Sequence, residues 1–254
     1  MSQSLIRFHD KFLSDQPEHM NEFQGSTAEY WEALYSTICQ ASGITDPYQE
    51  FDLAITELFT VEEMASNPVL LRFLQFLIKF RANRRVLEIG TFIGVSAMTF
   101  ARALPEGGEV VTIEKFDKFA AVAEENFRRN GLTDRITLMC GDAHEIISTL
   151  PRDALFDVAF IDGDKGRYLD YFRLVDPLIE VGGLIIVDDV FFHGDAINAE
   201  PRTEKGAGVR QFLTAAAQAN NYLRLALPIS NGTMLMLKET NEQNNQPNQE
   251  TAHQ

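Results

Sequence analysis

Hydrophobic and polar positions follow two successive patterns along the chain. In the first third, apolar residues recur at helical spacing and predict helices over 26–43, 51–59 and 67–80. Asn67 is the expected cap of the last helix, with Pro68 at its first position. From Arg84 onward, short apolar runs alternate with amphipathic segments. We therefore expect an N-terminal helical segment, residues 1–82, followed by a mixed core, residues 83–239.

The second pattern predicts a mostly parallel sheet. Short apolar runs separated by helical segments are typical of an α/β, Rossmann-like fold with helices on both faces of the sheet. The predicted strands are 84–90, 109–114, 135–140, 156–162 and 183–189, and the predicted helices are 94–104, 118–131, 143–150, 166–179 and 206–220. Two further runs, 223–229 and 232–238, predict closing antiparallel edge strands. The polar segment 240–254 predicts a disordered tail.

Charge and composition narrow the classes of partner. The 254 residues include 37 acidic and 22 basic side chains, for a formal net charge of −15. Such a field disfavours nucleic acid and anionic membranes and favours small cationic or neutral partners. The first residues lack the apolar stretch of a signal peptide, and no later run has the length of a membrane span, so a cytoplasmic protein is expected. Cys39 and Cys140 are expected to be reduced.

The first predicted strand ends in a glycine-containing loop, "LEIGTFIG" (87–94). Gly90 allows the backbone to approach a ligand closely, and Glu88 places a carboxylate beside it. The dinucleotide fingerprint needs a second glycine two positions after Gly90, where this chain has Phe92. A cationic ligand such as S-adenosylmethionine suits the carboxylate better than a pyrophosphate does.

The next two strand ends are consistent with the same ligand. Glu114 ends the second strand, where it could accept hydrogen bonds from both ribose hydroxyls. Asp142 and the small Ala143 follow the third strand and could border an adenine. The alternative is that Glu88 and Glu114 are solvated residues at strand ends.

An acidic cluster follows the fourth and fifth strands. Asp162 and Asp164 lie at the carboxyl end of one strand, and Asp188 and Asp189 at that of the other. Neighbouring parallel strands lie about 4.8 Å apart, so Asp162 can meet Asp188 and Asp189. These carboxylates would repel one another unless a cation intervened. An all-oxygen set favours Mg²⁺, with Ca²⁺ or Mn²⁺ as the other candidates, over zinc.

Several ordered motifs between about residues 60 and 238 resemble a known family. The motifs are "VLEIGTFIGVSA", "VVTIEK", "GDA", "FIDGDKGRYLDYF" and "GGLIIVDDVFFHG". They resemble the cation-dependent, S-adenosylmethionine-dependent O-methyltransferases, the catechol and caffeoyl-coenzyme A group. The resemblance implies a class I methyltransferase fold and a homodimer. It also implies that the cofactor contacts are Glu88, Gly90, Thr91, Ser96, Glu114, Ala143 and Asp164.

The resemblance also assigns roles within the acidic cluster. Asp162, Asp188 and Asp189 would bind the metal, and Lys165 would be the general base on the acceptor hydroxyl. The alternative for Lys165 is a lysine that balances the charge of Asp162 or Asp164. The family usually has Asn at the position of Asp189, and the added charge is expected to retain divalent binding.

The sequence thus predicts a metal-dependent O-methyltransferase acting on a small catechol-like or vicinal-hydroxyl acceptor. One alternative is a tRNA hydroxyuridine O-methyltransferase, which the net charge disfavours. The others are a metal-independent small-molecule O-methyltransferase and a cofactor-binding protein without catalysis. His193, in a loop predicted over 193–206, is expected to be a polar loop residue.

Overall fold

The computed structural model describes residues 27–45 and 47–241. The chain divides into two units, Met1–Ile44 and Thr45–Gln254. The described part of the first unit contains the helix α1 (Thr27–Ala41), which confirms the helix predicted over 26–43. The second unit contains the sheet and every residue predicted to bind cofactor or metal.

The second unit alternates helices and strands as the sequence predicted. Its elements in chain order are α2 (Pro47–Glu50), α3 (Val61–Met64), α4 (Pro68–Arg81), β1 (Arg85–Ile89), α5 (Val95–Ala103), β2 (Glu109–Glu114), α6 (Asp117–Arg129), β3 (Ile136–Cys140), α7 (Ala143–Thr149), β4 (Phe156–Ile161), α8 (Tyr168–Val175), β5 (Ile179–Val187), α9 (Glu204–Gln218), β6 (Tyr222–Leu227) and β7 (Thr233–Lys238). Short 3₁₀ segments cover Lys165–Arg167, Asp176–Leu178 and Phe192–Ile197.

The strands form one seven-stranded sheet in the order β3-β2-β1-β4-β5-β7-β6. The first five strands are parallel, β7 is antiparallel to β5, and β6 is antiparallel to β7. The predicted fold class is therefore confirmed. Strand order reverses between β1 and β4, and in such sheets ligands bind outside the carboxyl ends of the strands at that point.

Two hydrophobic clusters cover the two faces of the sheet. One contains Leu70 from α4 and Phe100 from α5, and the other contains Tyr168 from α8 and Phe212 from α9. Side chains of β1 alternate between them, since Val86 belongs to the first cluster and Leu87 to the second. The sheet therefore lies between two layers of helices, and both layers fix the position of the carboxyl ends of its strands.

The helix predicted over 51–59 is wrong. Those residues run as non-helical chain between α2 and α3. The Asn126 amide donates to Ala54 O (3.1 Å) and Ile93 O (2.9 Å), and the Ala54 N–H donates to Asn126 Oδ1. A buried side chain therefore supplies the hydrogen bonds that a helix would have made within the segment.

Two other boundaries differ from the predicted ones. The helix predicted over 166–179 is a 3₁₀ turn, α8 and a second 3₁₀ turn that contains Pro177, because proline has no N–H for a helical bond. The final strand of the parallel set starts earlier than predicted, at Ile179. Residues 242–254 of the predicted tail lie outside the described residues. No helix in the described ranges is long and apolar enough to cross a membrane.

Asn126→Ala should lower the free energy of unfolding by about 2–4 kcal/mol, because it leaves buried backbone groups of two segments without partners. Urea denaturation measures the change. Glu124→Ala, at an exposed position on the same helix, is the matched control. Equal unfolding midpoints for the two variants would contradict the role given to Asn126.

Candidate active site

A cavity of about 520 Å³ lies at the carboxyl ends of the parallel strands. It is lined by residues that follow β1, β2, β3, β4 and β5, so it occupies the place that the fold provides for a ligand. The predicted site residues that line it are Gly90, Thr91, Ser96, Glu114, Ala143, Asp162, Asp164, Lys165 and Asp189. Glu88, Asp142 and Asp188 are absent from its lining.

The loop after β1 fits closely against the end of β4. Gly90 has a φ of +100°, and a Cβ built on it would lie 2.3 Å from the carbonyl oxygen of Asp162. No other residue type fits both the backbone conformation and this space. The glycine therefore joins the predicted cofactor loop to the acidic cluster.

Glu114 is held in place by the backbone of two loops. Its Oε2 accepts from Phe92 N–H (2.8 Å), and its Oε1 accepts from Phe116 N–H (2.9 Å). The side chain is buried, yet it lines the cavity. Since each carboxylate oxygen has two lone pairs, the fixed carboxylate retains acceptor capacity toward a ligand.

Glu88 lies beneath the glycine loop and is completely buried. The Thr112 hydroxyl donates to Glu88 Oε2, whereas Oε1 has no hydrogen-bond partner among the described residues. Burial raises the pKa of the Glu88 carboxyl to about 8, and hydrogen bonds from Ser96 and Thr112 oppose that rise only in part. Glu88 therefore favours the neutral, protonated form near pH 7 and lies beneath the loop, outside the cavity lining.

Asp142 caps a helix and pairs with an arginine instead of lining the cavity. It caps α7 by accepting from His144 N–H (2.9 Å), and it pairs with the Arg167 guanidinium at 2.7 Å. Its neighbours Gly141 and Ala143 line the cavity instead. The segment predicted to border the adenine therefore lines the cavity. The hydrogen bond from His144 N–H to Asp142 fixes the backbone of this segment.

The acidic cluster forms around one ammonium group. Lys165 Nζ lies 2.7 Å from Asp162 Oδ1 and 3.0 Å from Asp189 Oδ2. Burial raises the pKa of Asp162, and Lys165 opposes that rise only in part. Burial alone would lower the pKa of Lys165, but Asp162 and the other neighbours hold it well above its usual range. The two ion pairs therefore favour the charged ammonium form of Lys165 in this arrangement.

Asp188 completes the cluster from a more buried position. Its Oδ1 accepts a hydrogen bond from the Thr233 hydroxyl (3.1 Å) on β7. Burial, together with repulsion from Asp162 and Asp189, raises the pKa of Asp188 to about 8. Within residues 27–45 and 47–241, no group of three or more His, Cys, Asp or Glu side chains is arranged so that it could hold a metal ion.

Asp189 has a left-handed backbone, with a φ of +54°. Asn and Asp adopt this conformation more readily than other non-glycine residues. The conformation therefore accounts for an Asp or an Asn at this position. The left-handed turn brings the carboxylate to Lys165, on the cavity side of the strand end.

Two residues that the sequence did not single out, Ser66 and Lys205, also belong to this region, together with His193. Ser66 lines the cavity and hydrogen-bonds to Asp162. His193 and Lys205 line it as well, although His193 was expected to be only a polar loop residue. No local motif marks Ser66 or Lys205, since each reaches the cavity through the course of its segment in the fold.

Comparisons with known proteins assign the family. A family model described as O-methyltransferase matches residues 49–239, which is most of the chain. The chain therefore belongs to the O-methyltransferase family. The predicted class, an S-adenosylmethionine-dependent O-methyltransferase, is thereby confirmed.

Two relatives and one solved structure illustrate the likeness. A catechol O-methyltransferase of Niastella koreensis is 36% identical over 143 residues, 56% of this chain and 65% of the relative. A catechol O-methyltransferase of Mycobacterium tuberculosis is 34% identical over 168 residues, 66% of this chain and 76% of the relative. The chain thus spans just under two thirds of the first relative.

The solved structure is the O-methyltransferase TomG from Streptomyces achromogenes, in complex with SAM. It superposes with a TM-score of 0.67 at 27% identity, covering 88% of this chain and 95% of that chain. The likeness extends over nearly all of TomG, so it concerns the whole domain and not a shared motif.

Glu88→Gln should remove a pH dependence of stability. With a folded pKa of about 8 against an ordinary 4.5, Glu88 stays protonated in the folded protein where the unfolded chain ionises. The stabilisation that protonated Glu88 contributes is fully present below the unfolded-state pKa of 4.5 and is lost as pH rises through the folded-state pKa of about 8. The wild type should therefore lose on the order of a few kcal/mol more than Glu88→Gln between about pH 5 and about pH 8. Denaturation at both pH values measures the difference, and parallel losses would contradict the assignment.

Proposed function

We propose that the protein transfers the methyl group of S-adenosylmethionine to a hydroxyl of a small catechol-like or vicinal-hydroxyl acceptor, with a divalent cation and with Lys165 as general base. The observation that carries the proposal is the shared cavity. The glycine loop and Glu114 line it together with Lys165, Asp162 and Asp189. Donor and acceptor could therefore lie in one enclosed space, as a direct transfer requires.

The cofactor would occupy the part of the cavity near β1, β2 and β3. Glu114, fixed by two backbone N–H groups, would accept hydrogen bonds from the ribose hydroxyls. Gly90 and Thr91 would allow close backbone approach, and Ala143 would leave room for the adenine. Support comes from the TomG structure, which was solved with SAM.

The acidic cluster suits a divalent cation in charge and in donor type, although its side chains are not grouped for metal binding as they stand and would have to turn toward the ion. Asp162 and Asp189 pair with one ammonium, and the buried Asp188 is close enough to repel them, so acidic side chains outnumber basic ones in the cluster. All the donors are oxygens, which favours Mg²⁺, Ca²⁺ or Mn²⁺. Asp162, Asp188 and Asp189 would hold the ion. When bound, it would supply the positive charge that lowers the pKa of an acceptor hydroxyl.

Lys165 would accept the proton of that hydroxyl at Nζ. It lies at the cavity wall, between the two carboxylates. Because these carboxylates keep it protonated here, it can act as a base only when its ion pairs with Asp162 and Asp189 weaken. A divalent cation that bound Asp162 and Asp189 would weaken these ion pairs and would therefore favour the neutral amine of Lys165.

Metal-independent transfer is a second candidate, and one observation favours it. Lys165 already neutralises part of the charge of Asp162 and Asp189 through direct ion pairs. In that case Lys165 would stabilise the developing phenolate as a fixed cation, and the hydroxyl proton would pass to the carboxylate of Asp162 or Asp189. The two candidates differ in their response to a chelator.

Methyl transfer from labelled S-adenosylmethionine to catechol should stop in the presence of chelator and return when Mg²⁺ or Mn²⁺ is added in excess. Asp162→Asn should lower the rate at least about hundredfold, because it removes a charged oxygen ligand. Asp170→Asn, at an exposed position on α8, is the control and should retain wild-type turnover. Turnover unaffected by chelator would reject the metal-dependent proposal and leave the second candidate.

Lys165→Met should lower kcat about a hundredfold or more, since the acceptor proton would lose its base. Calorimetric titration with S-adenosylmethionine shows whether the variant still folds and binds the donor. Lys79→Met, at an exposed position on α4, serves as the matched control. A Lys165→Met enzyme with wild-type kcat would show that Lys165 is only a charge-balancing residue.

A further inference from the structure

A second lysine, Lys205, lines the same cavity without an ion pair. Lys165 pairs with Asp162 and Asp189, and the cavity residue Lys115 lies 3.8 Å from Asp142. In the part of the chain that the structure describes, Lys205 makes no salt bridge or side-chain hydrogen bond. The chain has an excess of acidic over basic residues, 37 to 22, so a cavity lysine with no acidic partner is notable.

The fold fixes the place of Lys205 through its neighbours in α9. A Cβ on Gly208 would lie 2.6 Å from both the Lys165 carbonyl oxygen and the Gly166 Cα. The first turn of α9 is therefore packed directly on the backbone that carries the proposed base. Lys205 lies within one turn of that contact, so it belongs to the acceptor end of the cavity.

The loop before α9 holds this turn from the other side. Asp195 Oδ1 accepts from Arg202 N–H (2.8 Å), and Asp195 Oδ2 accepts from Thr203 N–H (3.0 Å). Thr203 in turn caps α9 by accepting from Gly206 N–H (3.0 Å). The backbone on both sides of Lys205 is thus anchored, and only its side chain has freedom to move toward a ligand.

We infer that Lys205 is a specificity-determining residue that binds an anionic group, a carboxylate in the simplest case, on the acceptor. This inference rests on the proposed function, since it names the class of acceptor for the same site. The preferred acceptor would carry its vicinal hydroxyls at Lys165 and its acidic group toward Lys205. Such a charge-assisted hydrogen bond gives selectivity for an acid over its neutral analogue.

S-adenosylmethionine also carries a carboxylate, so the source of the anion must be distinguished. The residues proposed to bind the cofactor, Gly90, Glu114 and Ala143, follow β1, β2 and β3. Lys205 instead lies in the first turn of α9, whose Gly208 packs on the turn after β4, and it shares the cavity with Asp189 and His193. We therefore assign the anionic group at Lys205 to the acceptor and not to S-adenosylmethionine.

The test compares 3,4-dihydroxybenzoate with 3,4-dihydroxybenzamide, a neutral analogue of nearly the same shape. The wild type should show a higher kcat/KM for the acid, and Lys205→Gln should lower the acid-to-amide ratio about tenfold, equivalent to about 1.4 kcal/mol. Lys205→Glu should lower the ratio further, whereas Lys205→Arg should restore much of it. Lys79→Gln controls for the loss of a distant positive charge.

Ionic strength gives an independent readout. Because Lys205 is exposed, salt should lower the acid-to-amide ratio of the wild type and have little effect on that of Lys205→Gln. A ratio unchanged by Lys205→Gln, with both compounds methylated, would overturn this inference alone. A higher KM for S-adenosylmethionine with an unchanged ratio would also overturn it, by assigning Lys205 to the donor. If the wild type methylated neither compound nor catechol, the proposed function would fail and the inference with it.

Discussion

Repulsion among Asp162, Asp188 and Asp189 is the constraint on which the active-site end of the sheet depends. The three side chains are brought together by the pairing of β4 with β5, and Asp188 is buried while Asp162 and Asp189 are partly exposed. Lys165, Ser66 and Thr233 each bond to the cluster and reduce the cost. Because removal of one member of such a cluster leaves the others uncompensated, these groups act as a unit.

The surrounding elements meet at the backbone of this cluster. Gly90 contacts the carbonyl of Asp162 from the cofactor side, and Gly208 contacts the carbonyl of Lys165 from the side of α9. A side chain at either position would displace the turn that carries the acidic cluster. The proposed donor loop, the proposed base and the start of α9 are therefore coupled sterically, without any need for a long-range mechanism.

The sequence predicted the parts of the fold that local patterns encode. Alternating apolar runs predicted the parallel sheet, and strand ends identified Glu114, Asp162 and Asp189 at the cavity. Local patterns do not reveal hydrogen bonds between distant segments. The segment near Ala54 was therefore predicted to be a helix, although the side chain of Asn126 bonds to its backbone. Lys205 was missed for the same reason, since only the packing of α9 on the Lys165 turn brings it to the site.

Binding of Mn²⁺ followed by electron paramagnetic resonance tests the account most directly, because it needs no acceptor. In the presence of S-adenosylhomocysteine, the wild type should bind a single Mn²⁺ per chain, and Asp162→Asn should weaken binding at least about tenfold. Asp170→Asn should bind as the wild type does. The absence of bound Mn²⁺, or equal binding by Asp162→Asn, would contradict the claim that the carboxylates around Lys165 form a divalent metal site.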